Sequence, residues 1–242
     1  MKTIIVTGAS SGIGRATAEL FLDQGWQVGL LARSSGKLSQ MAAARENAIP
    51  LVADVTDPQA VSAAFDEFQA KAGRLDVLFN NAGVFAPAGT IDEIALDDWY
   101  QSVNVNLNGM FLCARAAFGA MRRQSPQGGR IINNGSIAAH VPRPNSVHYT
   151  ATKHAITGLT RSLSLDGRAF GIACGQIDIG NARTPMVQGL VERAIAEGRE
   201  PDPTMAVEDA ARSVLHMASL PPEANVQFMT VMATTMPYIG RG

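Results

Sequence analysis

Short runs of consecutive apolar residues alternate along the chain with stretches whose apolar positions recur every three or four residues. An unbroken apolar run suits a strand buried on both faces, and the longer spacing suits a helix packed over it. Strands are predicted at Ile4–Val6, Gln27–Ala32, Ile49–Ala53, Leu75–Asn80, Arg130–Asn134, Ile172–Ile177 and Val226–Met232. Helices are predicted at Gly12–Gln24, Gly36–Asn47, Pro58–Lys71, Leu96–Arg123, Ser146–Phe170, Pro185–Gly198 and Ala206–Ala218. Gly25 stops the first helix, and Asp57-Pro58 gives the third an acidic cap with proline at its first position. The alternation predicts an α/β fold: a doubly wound parallel sheet of about seven strands with helices on both faces. No repeat, low-complexity tract or linker interrupts it, so residues 1–242 are expected to form one domain. The polar, proline-bearing stretch Glu197–Thr204 reads as a mobile segment.

Composition narrows the function. Hydrophobic residues make up 46% of the chain and aromatics only 6%, which favours close packing of small aliphatic side chains. The net charge is −1 and no Lys/Arg block is present, so nucleic acid finds no electrostatic footprint. Cys113 and Cys174 lie in apolar surroundings and read as buried, reduced thiols. No His/Cys group has zinc spacing, and no metal is expected. No apolar run is long enough to span a membrane. The chain runs straight into a strand from Lys2 to Thr7 with no signal-like segment, so a cytoplasmic location is expected.

The chemistry begins where the first strand turns into the first helix, at Thr7-Gly8-Ala9-Ser10-Ser11-Gly12-Ile13-Gly14. A glycine-rich turn lets the backbone approach a pyrophosphate, and the helix N-terminus adds unpaired N–H groups and a favourable dipole. The second strand then ends at Ala32-Arg33 with no carboxylate. An acid there bonds ribose hydroxyls and selects NAD, whereas the planar fork of an arginine suits a 2′-phosphate. NADP is the expected cofactor, with NAD as the alternative. Further on, Tyr149 and Lys153 stand four residues apart, on one face of a helix. An ammonium beside a phenol favours its anion, as proton exchange with an alcohol or carbonyl requires.

Together with Asp54-Val55, Asn80-Asn81-Ala82-Gly83, Asn106 and Ser136, in this order, these motifs make the chain resemble the short-chain dehydrogenase/reductases over nearly its whole length. The resemblance implies a Rossmann-type, NAD(P)-binding oxidoreductase that interconverts a ketone or aldehyde and an alcohol. It assigns Gly8, Ser10, Ser11, Gly12, Ile13 and Gly14 to the phosphates, and Asp54, with the Val55 backbone, to the adenine. Asn81, Ala82 and Gly83 are implied to bracket the first strand and cover one side of the cofactor. Asn106, not the neighbouring Asn104, is implied to distort its helix and hold a water on a proton relay. Ser136 is implied to orient the substrate oxygen, Tyr149 to exchange the proton, and Lys153 to bond the nicotinamide ribose.

Two stretches depart from the family pattern. Where the family has Pro-Gly followed by a threonine, this chain reads Ile179-Gly180-Asn181-Ala182-Arg183-Thr184. Ile179, Gly180, the Ala182 backbone and Thr184 are still expected along the nicotinamide, with Ile179 narrowing the substrate side. Asp178 reads as a loop or capping carboxylate. The tail Ala233–Gly242, with Met236, Pro237 and Tyr238, is a candidate pocket cover or oligomer contact.

The expected substrate contacts are Ser136, Ala138, His140, Tyr149, Asn181 and Met186, in a mostly apolar lining that also takes Phe85, Ile137 and Val141. That lining favours a neutral small-molecule ketone or alcohol. His140 and His148 have no evident partner and read as structural polar contacts, and Arg143 reads as a solvated loop arginine. Apolar stripes at Met110, Cys113, Ala114, Ala117 and Met121, and at Ala155, Leu159 and Leu163, mark two helices that pair across a two-fold axis in the family. A homotetramer is expected, with a dimer as the fallback. Two other functions stand beside the leading one. A 3-oxoacyl-carrier-protein-type reductase would need a basic docking face, and only Arg122, Arg123 and Arg130 cluster modestly. A non-enzymatic cofactor-binding sensor would be expected to lack part of the set Asn106, Ser136, Tyr149 and Lys153.

Overall fold

The computed structural model describes residues 1–239. Its sheet has seven parallel strands: β1 (Thr3–Thr7), β2 (Gln27–Ala32), β3 (Ala48–Val52), β4 (Val77–Asn80), β5 (Gly129–Asn134), β6 (Ile172–Ile179) and β7 (Phe228–Val231). Their order is β3-β2-β1-β4-β5-β6-β7. The chain winds outward in one direction from β1 and in the other from β4, so a crevice opens at the carboxyl ends of these two strands.

Helices α1 (Gly12–Asp23), α2 (Ser35–Ala42), α3 (Pro58–Ala72), α4 (Leu96–Val103), α5 (Met110–Arg123), α6 (Val147–Gly167), α7 (Pro185–Ala196) and α8 (Val207–Ser219) complete the chain. Alternate residues of a strand point to opposite faces, and β1 divides accordingly. Ile4 and Val6 enter a core with Phe21 of α1, Leu38 of α2 and Val214 of α8. Ile5 enters the other, with Phe65 and Phe68 of α3 and Cys113 and Ala117 of α5. Burial pushes the Cys113 and Cys174 thiols up to about 12, so both remain protonated.

Several predicted elements change on folding. The second helix stops at Ala42 rather than Asn47, because the Asn47 amide turns inward to the carbonyls of Leu22 and Trp26, at 3.0 and 2.8 Å. The long helix predicted over 96–123 is interrupted by a π-helical turn, Asn104–Gly109. β6 runs two residues past its predicted end, through Asp178 and Ile179. Isoleucine keeps the backbone N–H that the family's proline lacks, and the pairing continues as Asp178 beside Thr230 and Ile179 beside Val231.

The stripe assigned to oligomer contact is also corrected. Met110, Cys113, Ala114, Ala117 and Met121 are all buried in the chain's own core. The apolar side chains that these two helices present outward are Phe111 of α5, 49% exposed, and Leu165 of α6, 61% exposed. The tail likewise turns inward: Ala233 and Met236 are buried in the core that holds Ile4, and Tyr238 packs against it. Residues 240–242 of that predicted contact lie outside the described residues. Among the described residues no helix is long and apolar enough to cross a membrane, and no cluster of metal-ligating side chains occurs.

Candidate active site

A cleft of about 310 Å³ lies along the carboxyl ends of β1, β2, β4 and β5. The β1–α1 turn forms its floor with Gly8, Ser10, Ser11, Gly12 and Ile13. Gly8 takes a φ of +70°, a left-handed conformation that favours glycine. Gly14 lies behind the turn, where a Cβ would come within 2.3 Å of the Gly8 carbonyl oxygen. Ser11 caps α1 without a side-chain bond to the helix, and the first turn carries no acid. The positive end of the helix dipole is therefore left for an anion.

The β4 end is tied to β1 by the Thr7 hydroxyl, which accepts the N–H groups of Asn81 at 2.8 Å and Ala82 at 2.9 Å. The Asn81 amide donates to the Thr7 carbonyl at 2.9 Å and accepts the Asn134 amide at 2.8 Å. Asn80–Gly83 thus brackets the first strand, and Asn81, Ala82 and Gly83 line the cleft. The pattern fits a dinucleotide. The turn has room only for backbone, and the Asn134 Oδ1 on the cleft wall is buried with no partner among the described residues.

At the far end the cleft is lined by Arg33, Ser34, Asp54 and Val55. Arg33 is 72% exposed at its side chain, and its nearest charged neighbour is Asp54 at 3.8 Å. Asp54 accepts the Thr56 N–H at 2.9 Å and hydroxyl at 2.8 Å. The backbone bond, then the hydroxyl and the Arg33 charge, hold its carboxyl below the ordinary aspartate range despite partial burial.

At the opposite end Tyr149 and Lys153 face the cleft from α6. Asn145, at a φ of +59°, and the Ser146 cap turn the chain into this helix. The Lys153 ammonium donates to the Asn134 carbonyl at 2.8 Å and lies 5.5 Å from the Tyr149 ring centre. The Phe85 ring packs against Tyr149 at 5.0 Å. Ser136 is buried just after β5, and its Oγ accepts the Ala138 N–H at 3.1 Å. Asn106 is buried in the π-helical turn. Its Oδ1 accepts the Val84 N–H at 2.7 Å and its amide donates to the Val84 carbonyl at 2.9 Å. That side chain therefore anchors the cleft-lining loop after β4. Asn104 is on the exposed helix surface, where its side chain accepts from Asn108.

Thr184 and Met186 reach the cleft from the start of α7, and the Thr184 Oγ caps that helix through the Val187 N–H at 3.2 Å. Other expected contacts lie elsewhere. Ile179 is a core residue rather than a wall of the substrate side, since its side chain joins the cluster around Ile4. Gly180 and Ala182 lie behind Thr184: a Cβ on Gly180 would meet Met232 at 2.6 Å, and Ala182 bridges Met205. Ala138 is buried. His140 has the partner its sequence context did not show, Asp178, and Asp178 is a buried strand carboxylate, not a loop or capping one. His148 is fully buried, makes no polar contact among the described residues and packs edge-on to Phe85. A ring contact thus replaces its expected polar role.

A second cavity of about 510 Å³ adjoins this end through Phe85 and α7, and is lined by Arg143, Asn181, Val187, Leu190 and Val191 among others. Arg143 is partly buried in its wall, 3.8 Å from Asp202, rather than a solvated loop residue. Sequence reasoning also missed Ser34, Asn134, Gln101 and Val84. The Ser34 hydroxyl beside Arg33, and the period-two alternation of Asn134 with Ser136, were the available signals.

The family model described as short chain dehydrogenase matches residues 2–194. A 3beta-hydroxysteroid dehydrogenase of Mediterraneibacter gnavus is 38% identical over 81% of this chain and 70% of its own length. A cis-4-hydroxycyclohexanecarboxylate dehydrogenase of Sinomonas cyclohexanicum is 35% identical over 90% of this chain and 89% of its own. Among solved structures, a serine dehydrogenase complexed with NADP+ superposes with a TM-score of 0.88 at 24% identity, covering 99% of this chain and 98% of that one. A levodione reductase superposes at 0.85 and 25% identity, covering 96% of each.

Proposed function

The chain belongs to the short-chain dehydrogenase family and is an oxidoreductase of alcohols and their carbonyl counterparts, and from that premise we propose that it prefers NADP and uses Tyr149 as its general acid and base. The observation that carries this is one cleft collecting the glycine turn, Arg33, Tyr149 and Lys153.

When bound, the nicotinamide cofactor supplies or takes up the hydride. The β1–α1 turn holds the pyrophosphate against backbone N–H groups, with no competing acid in the first turn of α1. Arg33, with the Ser34 hydroxyl, receives the 2′-phosphate, and Asp54 accepts from the adenine amino group. Thr184, which lines the cleft, would contact the carboxamide. Lys153 spends one of its donors on Asn134, which leaves two for the ribose hydroxyls. The Ser136 oxygen already accepts from Ala138, so its own proton is free to donate to the substrate oxygen. Tyr149 gives that oxygen a proton in reduction and recovers it in oxidation.

The chain acts as one catalytic domain. Two relatives carry the name of a ring alcohol, which makes cyclic secondary alcohols and ketones the first substrates to try. Phe111 and Leu165 are the outward apolar contacts for a tetramer or dimer, which light scattering would count. Docking of an acyl-carrier protein is disfavoured because Arg130 is buried and bonded to Asn225 and to the carbonyl of Ala224, leaving only Arg122 and Arg123. The test is nicotinamide oxidation over a panel of cyclic ketones with NADPH and NADH in parallel. Faster turnover with NADPH supports the assignment. Turnover mainly with NADH overturns the role of Arg33, and binding without turnover across the panel favours a sensor.

A further inference from the structure

We propose that Asp178 is a positioning residue for Ser136, and that His140 holds it in place. The proposal rests on the assignment of Ser136 as donor to the substrate oxygen.

The Asp178 side chain is 1% exposed and so needs partners for its oxygens. Its Oδ1 accepts the Ser136 backbone N–H at 2.9 Å and the Gln176 amide at 2.7 Å. Its Oδ2 lies 2.9 Å from His140 Nε2, and His140, 39% exposed, forms the outer end of the arrangement. Gly135 admits the carboxylate, since a Cβ there would sit 2.0 Å from Oδ1. Gln176 is held in turn by the hydroxyls of Thr157 at 3.1 Å and Thr160 at 3.2 Å. The Thr160 hydroxyl accepts the Asn133 amide at 3.0 Å, and Asn133 accepts from Asn80 at 3.2 Å. A continuous polar path therefore runs beneath α6 from β4 across β5 to β6, and ends on the Ser136 backbone.

Buried polar groups joined in this way fix one geometry, because each lost partner leaves another unpaired. The geometry fixed here is that of the peptide carrying the Ser136 hydroxyl. Misplacing such a group by about 1 Å can lower a rate by about 100-fold. His140, which the sequence suggested as a substrate contact, acts instead through Asp178.

A double-mutant cycle tests this. In the otherwise native enzyme, Asp178→Ala and His140→Ala should lower kcat by about 10-fold or more. Cofactor affinity should stay within about two-fold, because neither residue lines the cleft. Asp178→Asn keeps an acceptor for Ser136 and should recover most of kcat, and His140→Ala carries the test if Asp178→Ala fails to fold. In a Ser136→Ala background the same substitutions should have almost no further effect. Equal losses with and without the Ser136 hydroxyl would overturn the proposal, as would unchanged kcat in His140→Ala or in a folded Asp178→Ala. Full activity in Ser136→Ala alone would instead remove the Ser136 assignment, and the proposal with it.

Discussion

The two ends of the cleft are built by different means. The end with the glycine turn is mostly backbone: Thr7–Gly14, running from β1 into α1, supplies the turn, the helix terminus and the glycines that make room. The proposed reacting end is mostly side chain: Asn106, Ser136, Tyr149 and Lys153 come from a π-helical turn, a strand end and a helix, and each has a hydrogen-bond or ring partner distant in sequence. The first end should fail when room is lost, and the second when a single functional group is lost.

Removing the Tyr149 hydroxyl gives the largest expected effect. Tyr149→Phe should lower kcat by about 10³-fold while calorimetry finds the cofactor bound as before. Loss of cofactor binding in that variant would erase the contrast between the two ends. Gly14→Ala should act in the opposite way, since its Cβ would press on the Gly8 carbonyl. Overpacking of this kind is worth about 1–3 kcal/mol, so cofactor affinity should fall by about 10-fold or more, with a lower Tm. An unchanged Kd would show that the turn tolerates a side chain.

Arg33→Asp should raise the KM for NADPH by about 10-fold or more and spare NADH, given the strength of charge-assisted bonds. Equal changes for both cofactors would mean Arg33 does not read the 2′-phosphate. The smallest effect concerns Asp54, whose folded-state pKa is depressed, chiefly by the Thr56 N–H. Its contribution to stability is full above the ordinary aspartate value and is lost as pH falls through the lower folded value. The Tm gap between wild type and Asp54→Asn should therefore be small near neutrality and close in acid. A gap that widens in acid would contradict that sign.

Legibility in the sequence follows the same division. The parallel sheet of about seven strands and the glycine turn were readable because alternation and glycine spacing are local properties of the chain. The residues proposed to react were picked out by motif order, but their surroundings were not readable. Asp178 looked like a loop carboxylate because nothing nearby in sequence announces that Gly135 leaves space for it and His140 covers it. The α5 stripe was read as an outer contact because periodicity gives a face without saying which way that face points, and α3 claims it. The substitution of Ile179 for proline was visible, but its effect was not, because extending β6 requires β7 to be alongside.

The inward-turned tail has a consequence for how the chain folds. The cluster that contains Ile4 of β1 also contains Met236, so this core is sealed by residues more than two hundred positions apart. Contacts of such separation are slow to form, because the loop they close must be ordered before they contribute. The sheet is entirely parallel and offers no hairpin to start from. The core beneath β1 is then among the last parts of the molecule to become dry during folding, and a protease that clips the chain before Met236 would reopen it first.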